Sequence, residues 1–216
     1  METAESIWNN LNTADWLEAF SAHPKIGETK TASTQEEKSA QWSTREQAGM
    51  SSADDALLLR VLTPVMKLTT GKQSVMVASE VLESFGGAGY VEDTGLPVLL
   101  RDSQVLPIWE GTTNVLALDT LRASQGLKRF EAVVLGCVEN VDDHAAQVVR
   151  SALDHALSWL TEAKDEAREA GARRFSLTLG RTIELALLIK HAHWSLDPET
   201  VNSVNRFASV GVDVIF

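Results

Sequence analysis

The sequence holds one cysteine, Cys137, one tyrosine, Tyr90, and five prolines in 216 residues. A single thiol cannot close an internal disulfide. No Cys/His group with zinc-ligand spacing accompanies it, so Cys137 reads as a buried structural thiol and no metal site is expected. No apolar run reaches the roughly 18 residues that a membrane-spanning helix needs. The opening METAESIWNN lacks the basic start and apolar centre of a signal peptide, which predicts a soluble, cytoplasmic protein without membrane contact. Positive charge is also scarce: Lys and Arg number 19 against 30 Asp and Glu, a formal net charge of -11. A chain this acidic is a poor displacer of the counterions on phosphates, which excludes nucleic acid as a partner. Alternating Val, Ile and Thr between turn signals is rare, so little material remains for a sheet.

What is abundant is Ala, Leu, Glu, Lys and Arg, and the fold class they predict is all-α. The first third is polar. The segment GETKTASTQEEKSA has no apolar periodicity and reads as a loop between two short helices, the first ending near Ala22 and the second opening at Ser43 with Glu46 as its capping-box partner. From Pro64 the spacing of Val65, Leu68, Lys72, Val75, Ser79 and Leu82 predicts a long, mostly buried helix that starts at the proline and stops at Gly86-Gly87. A short helix is expected over Leu96 to Ser103. Another runs from just after Gly111 to about Ala123, with Val115, Leu118 and Leu121 on its inner face. Three or four helices follow. Val149, Leu153, Ala156, Leu157 and Leu160 mark one, and Phe175, Leu179, Ile183, Ala186 and Ile189 mark the next, with Gly171 as the break between them. Asp197-Pro198-Glu199 combines a capping side chain, a first-position proline and a carboxylate at the positive helix end, and so opens the last.

The most informative run is VLESFGGAGYVEDTGLPVLLRDSQVLPIWEGTTNVLALDTLR, residues 81–122. Its order of F-G-G-x-G-Y, then L-x-R-D, then W-E-G-T resembles the C-terminal helical domain of acyl-CoA dehydrogenases, over about residues 58–125 and more weakly to 216. The resemblance implies a helical bundle of that type and an oxidoreductase that oxidises an acyl-CoA thioester between its α and β carbons. In this family a glutamate removes the α proton while the β hydride passes to FAD. The resemblance places Glu110 as that base, Gly86 and Gly87 beside the ADP portion of FAD, and Thr112 near the flavin. The chemistry suits these residue types: a carboxylate can take the proton once partly desolvated and aimed at carbon, and a glycine lets a cofactor reach the backbone. Read locally, Glu110 is also a carboxylate favouring a helix N-terminus, and Gly86-Gly87 is also a helix stop. Arg101 and Asp102 read as a local ion pair or cap. Phe85, Tyr90 and Trp109 read either as walls of the cofactor site or as core. The family shares FAD between this domain, a middle β-domain and a neighbouring subunit, and only 57 residues precede the matching segment. The expectation is therefore a site that is incomplete on this chain alone.

A second resemblance covers about residues 1–57 through DWLEAFSAHPKIGE and WSTREQAGM. These are similar to 2-oxo-4-hydroxy-4-carboxy-5-ureidoimidazoline (OHCU) decarboxylase, a cofactor-free all-helical enzyme of urate breakdown. The similarity implies His23 as the catalytic histidine and Ser43, Glu46 and Gln47 as substrate-binding residues. A histidine with a pKa near neutral can donate a proton as carbon dioxide leaves. Here too the match is partial, because the family's opening helices and the part after E-Q are missing. Three readings therefore stand: a dehydrogenase-type domain with FAD and acyl-CoA as partners, a decarboxylase of purine degradation, and a non-catalytic helical fusion of both. Faces left open by missing domains would favour a homo-oligomer.

Overall fold

The computed structural model describes residues 52–215, and all of their regular structure is helical. Seven α-helices follow one another: α1 Ala53–Ser84, α2 Leu96–Ser103, α3 Thr113–Arg122, α4 Leu127–Cys137, α5 His144–Glu162, α6 Asp165–Ser195 and α7 Pro198–Val210. The expected loop and two short helices of the first third lie outside the described residues.

Helix α6 is the hub of the bundle, and α1, α3, α4, α5 and α7 all pack on it. A helix surrounded in this way must be apolar on more than one side. Phe175, Leu179, Ile183, Ala186 and Ile189 are buried as their spacing requires, and Leu185 and Leu188 are buried as well. Val149, Leu153 and Ala156 of α5 meet this core, and the rings of Trp159 and Phe175 stack with centroids 5.6 Å apart. Gly171 is not a helix break. It lies inside α6, where a Cβ would stand 2.3 Å from the Trp159 ring. It is a contact glycine that lets α5 and α6 close, and the chain instead turns at Ala163 and Lys164.

Helix α1 begins eleven residues before the proline at which the sequence pattern placed its start. Ser52 and Asp55 form a reciprocal capping box there, each side chain bonding the other's backbone N–H. Pro64 thus sits in the helix interior, a position that ordinarily costs about 3 kcal/mol. Burial of Leu58, Val61, Val65 and Leu68 on the same helix offsets that cost. Farther along α1, Leu82 is buried as expected and Val77 with it, whereas Val75 is only partly covered and Ser79 is exposed. Thr69 meets Gly180 and, one turn on, Gln73 meets Glu184, so α1 and α6 run side by side in the same direction.

Helix α3 turns a different face inward from the one expected. Thr113, Leu116, Ala117 and Thr120 are buried, at the spacing of a single helix stripe, whereas Val115 is 55% exposed and Leu118 and Leu121 are only partly covered. Helix α7 opens as expected, with the Asp197 carboxylate accepting from the N–H groups of Glu199 and Thr200. Cys137 is buried.

Candidate functional site

The candidate residues fall on two stretches at the exposed edge of α1. The first follows its C-terminus. The helix ends at Ser84, Phe85 caps it, and Gly86 takes a left-handed backbone with φ 56°, opening the 3-10 turn Gly86–Gly89. A Cβ at Gly86 or Gly87 would meet nothing within 4 Å, so both glycines present bare backbone to open space. Gly89 is the opposite case, with a Cβ position 2.1 Å from the Leu82 carbonyl oxygen. This contact presses the turn against the end of α1.

The second stretch is the segment between α2 and α3. It approaches α1 at Gly71, where a Cβ would lie 3.3 Å from the Leu106 oxygen and from Pro107. The ammonium of Lys67, one helical turn earlier, donates to the Leu106 carbonyl at 2.5 Å. Three residues after buried Pro107 comes Glu110, exposed and left-handed at φ 56°, followed by Gly111 at φ 117°. For a residue with a Cβ this conformation costs about 1–2 kcal/mol, and such strain gathers where a site must aim a side chain. Thr112 then serves as the N-cap of α3 through its backbone, its carbonyl accepting from Leu116 N–H at 2.9 Å, while its exposed hydroxyl makes no capping bond. From Gly71, α1 runs on to Ser84, about 20 Å of axis at roughly 1.5 Å per residue. The glycine turn and the glutamate loop thus lie along one edge rather than side by side.

Phe85, Tyr90 and Trp109 are 42%, 85% and 70% exposed, which removes the core reading for all three. Arg101 and Asp102 form no ion pair with each other; their carbonyls instead accept from the backbone N–H of Gln104 as α2 ends. His23, Ser43, Glu46 and Gln47 lie outside the described residues. His144, His155, His191 and His193 sit on helices, and among the described residues no group of three or more His, Cys, Asp or Glu is placed to hold a metal.

Among the polar contacts that escaped the sequence reading, two join α1 to other helices. Arg60 of α1 and Asp119 of α3 form a bidentate pair, with N–O distances of 2.5 and 2.6 Å, and the guanidinium holds the Asp119 carboxyl below the usual carboxylate range. Glu184 is 1% exposed and accepts from the Gln73 amide at 2.9 Å. Burial pushes its carboxyl up to about 8, even though the Gln73 amide and the Arg181 charge pull it down. One carboxyl oxygen of Glu184 and the amide oxygen of Gln73 have no hydrogen-bond partner. The only sequence signal was a lone carboxylate between Ile183 and Leu185 in an apolar run. The Gln73 partner, 111 residues away, left no trace.

The described residues form an all-helical bundle with a glycine turn after α1 and a left-handed glutamate ahead of α3. The family model for the acyl-CoA dehydrogenase C-terminal domain matches residues 15–125, more than half of the chain, and the chain belongs to this family. A second model, for the C-terminal domain of acyl-CoA dehydrogenase 11 and its like, matches residues 125–211. The chain is 46% identical over 163 residues to acyl-CoA dehydrogenase family member 11 of Caenorhabditis elegans, a match covering 68% of this chain and 26% of the relative. The crystal structure of Caenorhabditis elegans ACDH-11 in complex with C11-CoA superposes with a TM-score of 0.74 at 30% identity, over 98% of this chain and 44% of that one. The chain thus spans about a quarter of this curated relative's length. Members of the family generally use FAD. Over 32 residues, 14% of the chain, it is also 62% identical to the uric acid degradation bifunctional protein TTL of Arabidopsis thaliana, a match covering 10% of that protein. Among the described residues no helix is long and apolar enough to cross a membrane.

Proposed function

We propose that this chain supplies the C-terminal wall of an acyl-CoA dehydrogenase-type site, with Glu110 as the base that removes the α proton of an acyl-CoA thioester. The observation that carries this reading is the left-handed backbone at Glu110, which is strained and carries an exposed carboxylate next in sequence to exposed Trp109. FAD fits the residues present. The bare backbone at Gly86 and Gly87 would admit its phosphates or sugars without a side chain in the way, and the Thr112 hydroxyl is available to a flavin. When bound, FAD supplies the hydride acceptor. Glu110 takes the proton; the exposed aromatics exclude water once a second wall covers them. That second wall would come from the family's other domains, on this polypeptide or another, and the open aromatic edge favours a homo-oligomer, which light scattering tests.

The test is a hybrid in which residues 58–211 replace the corresponding segment of the worm relative, followed by bleaching of flavin absorbance on adding C11-CoA. The hybrid should bleach, and Glu110→Gln should slow bleaching by on the order of 10²-fold or more. A hybrid that holds FAD but bleaches equally fast with Glu110→Gln contradicts the base assignment. A folded hybrid without FAD contradicts the assignment of the wall.

A short match to the Arabidopsis protein is the support for a second reading, in which residues 1–57 derive from an OHCU decarboxylase with His23 as proton donor and Ser43, Glu46 and Gln47 as substrate contacts; the acyl-CoA dehydrogenase model also runs across residues 15–57. Consumption of the ureidoimidazoline that His23→Ala abolishes would support it; no consumption by the full chain would refute it.

A further inference from the structure

We infer that Lys67, with Gly71 one turn along the same helix, is a positioning residue for Glu110. The two clamp the Leu106–Pro107 peptide to α1 and so set the turn that carries the carboxylate. This inference rests on the reading of Glu110 as the base. The backbone hydrogen bonds of this loop are local: Leu106 N–H bonds Ser103, and the N–H groups of Ile108 and Trp109 both bond Val105. Bonds of that span shape the loop but do not hold it against the bundle. The Lys67 ammonium does, reaching across 39 residues of sequence to the Leu106 carbonyl. A charged donor on a carbonyl is among the stronger hydrogen bonds a side chain makes.

Gly71 brings the same peptide to van der Waals range, since its missing Cβ would stand 3.3 Å from backbone atoms that cannot swing aside. Pro107 is buried while Leu106 and Ile108 on either side are exposed, so the clamped point is the one place where the loop enters the bundle. Its ring also fixes φ, which leaves little slack between the clamp and Glu110 three residues later. At the other end, Gly111 lies against the Leu116 side chain, 3.0 Å from its Cβ position. The strained residue is therefore held from both sides.

Hydrogen exchange on the full 216-residue chain tests the clamp without any ligand. Lys67→Met keeps the aliphatic stem and removes the donor. It should speed exchange at the Ile108 and Trp109 amides roughly tenfold while residues 175–189 of α6 stay protected. Lys67→Arg, which restores a cationic donor, should recover most of the protection, a recovery that simple loss of packing would not give. Gly71→Ala gives a second, milder opening of the same amides and serves if Lys67→Met also exposes α6. Ile108 and Trp109 amides as protected in Lys67→Met and Gly71→Ala as in the parent overturn the clamp. Bleaching that survives Glu110→Gln, by contrast, overturns only the base on which it rests.

Discussion

A carboxylate in the chain means different things at positions 110 and 184. Glu110 is exposed on strained backbone, and Glu184 is sealed in the bundle with one unpartnered oxygen. The first was legible because W-E-G-T is a motif; the second was not, because burial comes from helices that meet only in the fold. Glu184 has a measurable consequence. Its folded pKa, about 8, stands above the ordinary 4.5. The unfolded chain therefore holds fewer protons between those values, and the stability this group contributes is whole below pH 4.5, declines as pH rises, and is lost above 8. Glu184→Gln removes the charge and can donate to the orphaned Gln73 oxygen. Thermal melts should show it more stable than the parent by on the order of a few kcal/mol at pH 8, with no gain near pH 4.5. Parallel curves for the two proteins across this range would contradict the burial.

Helices were legible in the sequence to the extent that local chemistry sets them. Leu96–Ser103 has the span expected, and α7 starts at its Asp-Pro-Glu signature. Where tertiary contacts decide, the local reading failed. Pro64 looked like a helix start because proline suits that position, yet the capping box at Ser52 and the apolar residues before the proline carry the helix through it. The inner face of α3 was misread because three apolar residues at helical spacing competed with a stripe containing two threonines, and α6 selected the latter by offering close contact. Gly171 looked like punctuation and proved to be a packing site. Gly171→Ala should force the Trp159 ring from its stack on Phe175 and cost about 1–3 kcal/mol by chemical denaturation. A neutral result would mean that α5 and α6 are not in contact there.

Among the described residues, the helices enclose a large apolar core around α6 and leave large apolar side chains exposed near α1. Tyr90, Leu99, Ile108, Trp109 and Val115 are more than half exposed, and they cluster in sequence around the glycine turn and the glutamate loop. These exposed side chains are the ones that the proposed flavin wall would place against a cofactor and a second wall. Nuclear magnetic resonance mapping of FAD on the full chain tests that account most directly. Added FAD should shift the backbone amides of residues 86–112 in fast exchange, as an open single wall requires, and leave residues 175–189 of α6 unmoved. Shifts that are absent at saturating FAD, or that fall on the far side of the bundle, would contradict a flavin wall on this edge.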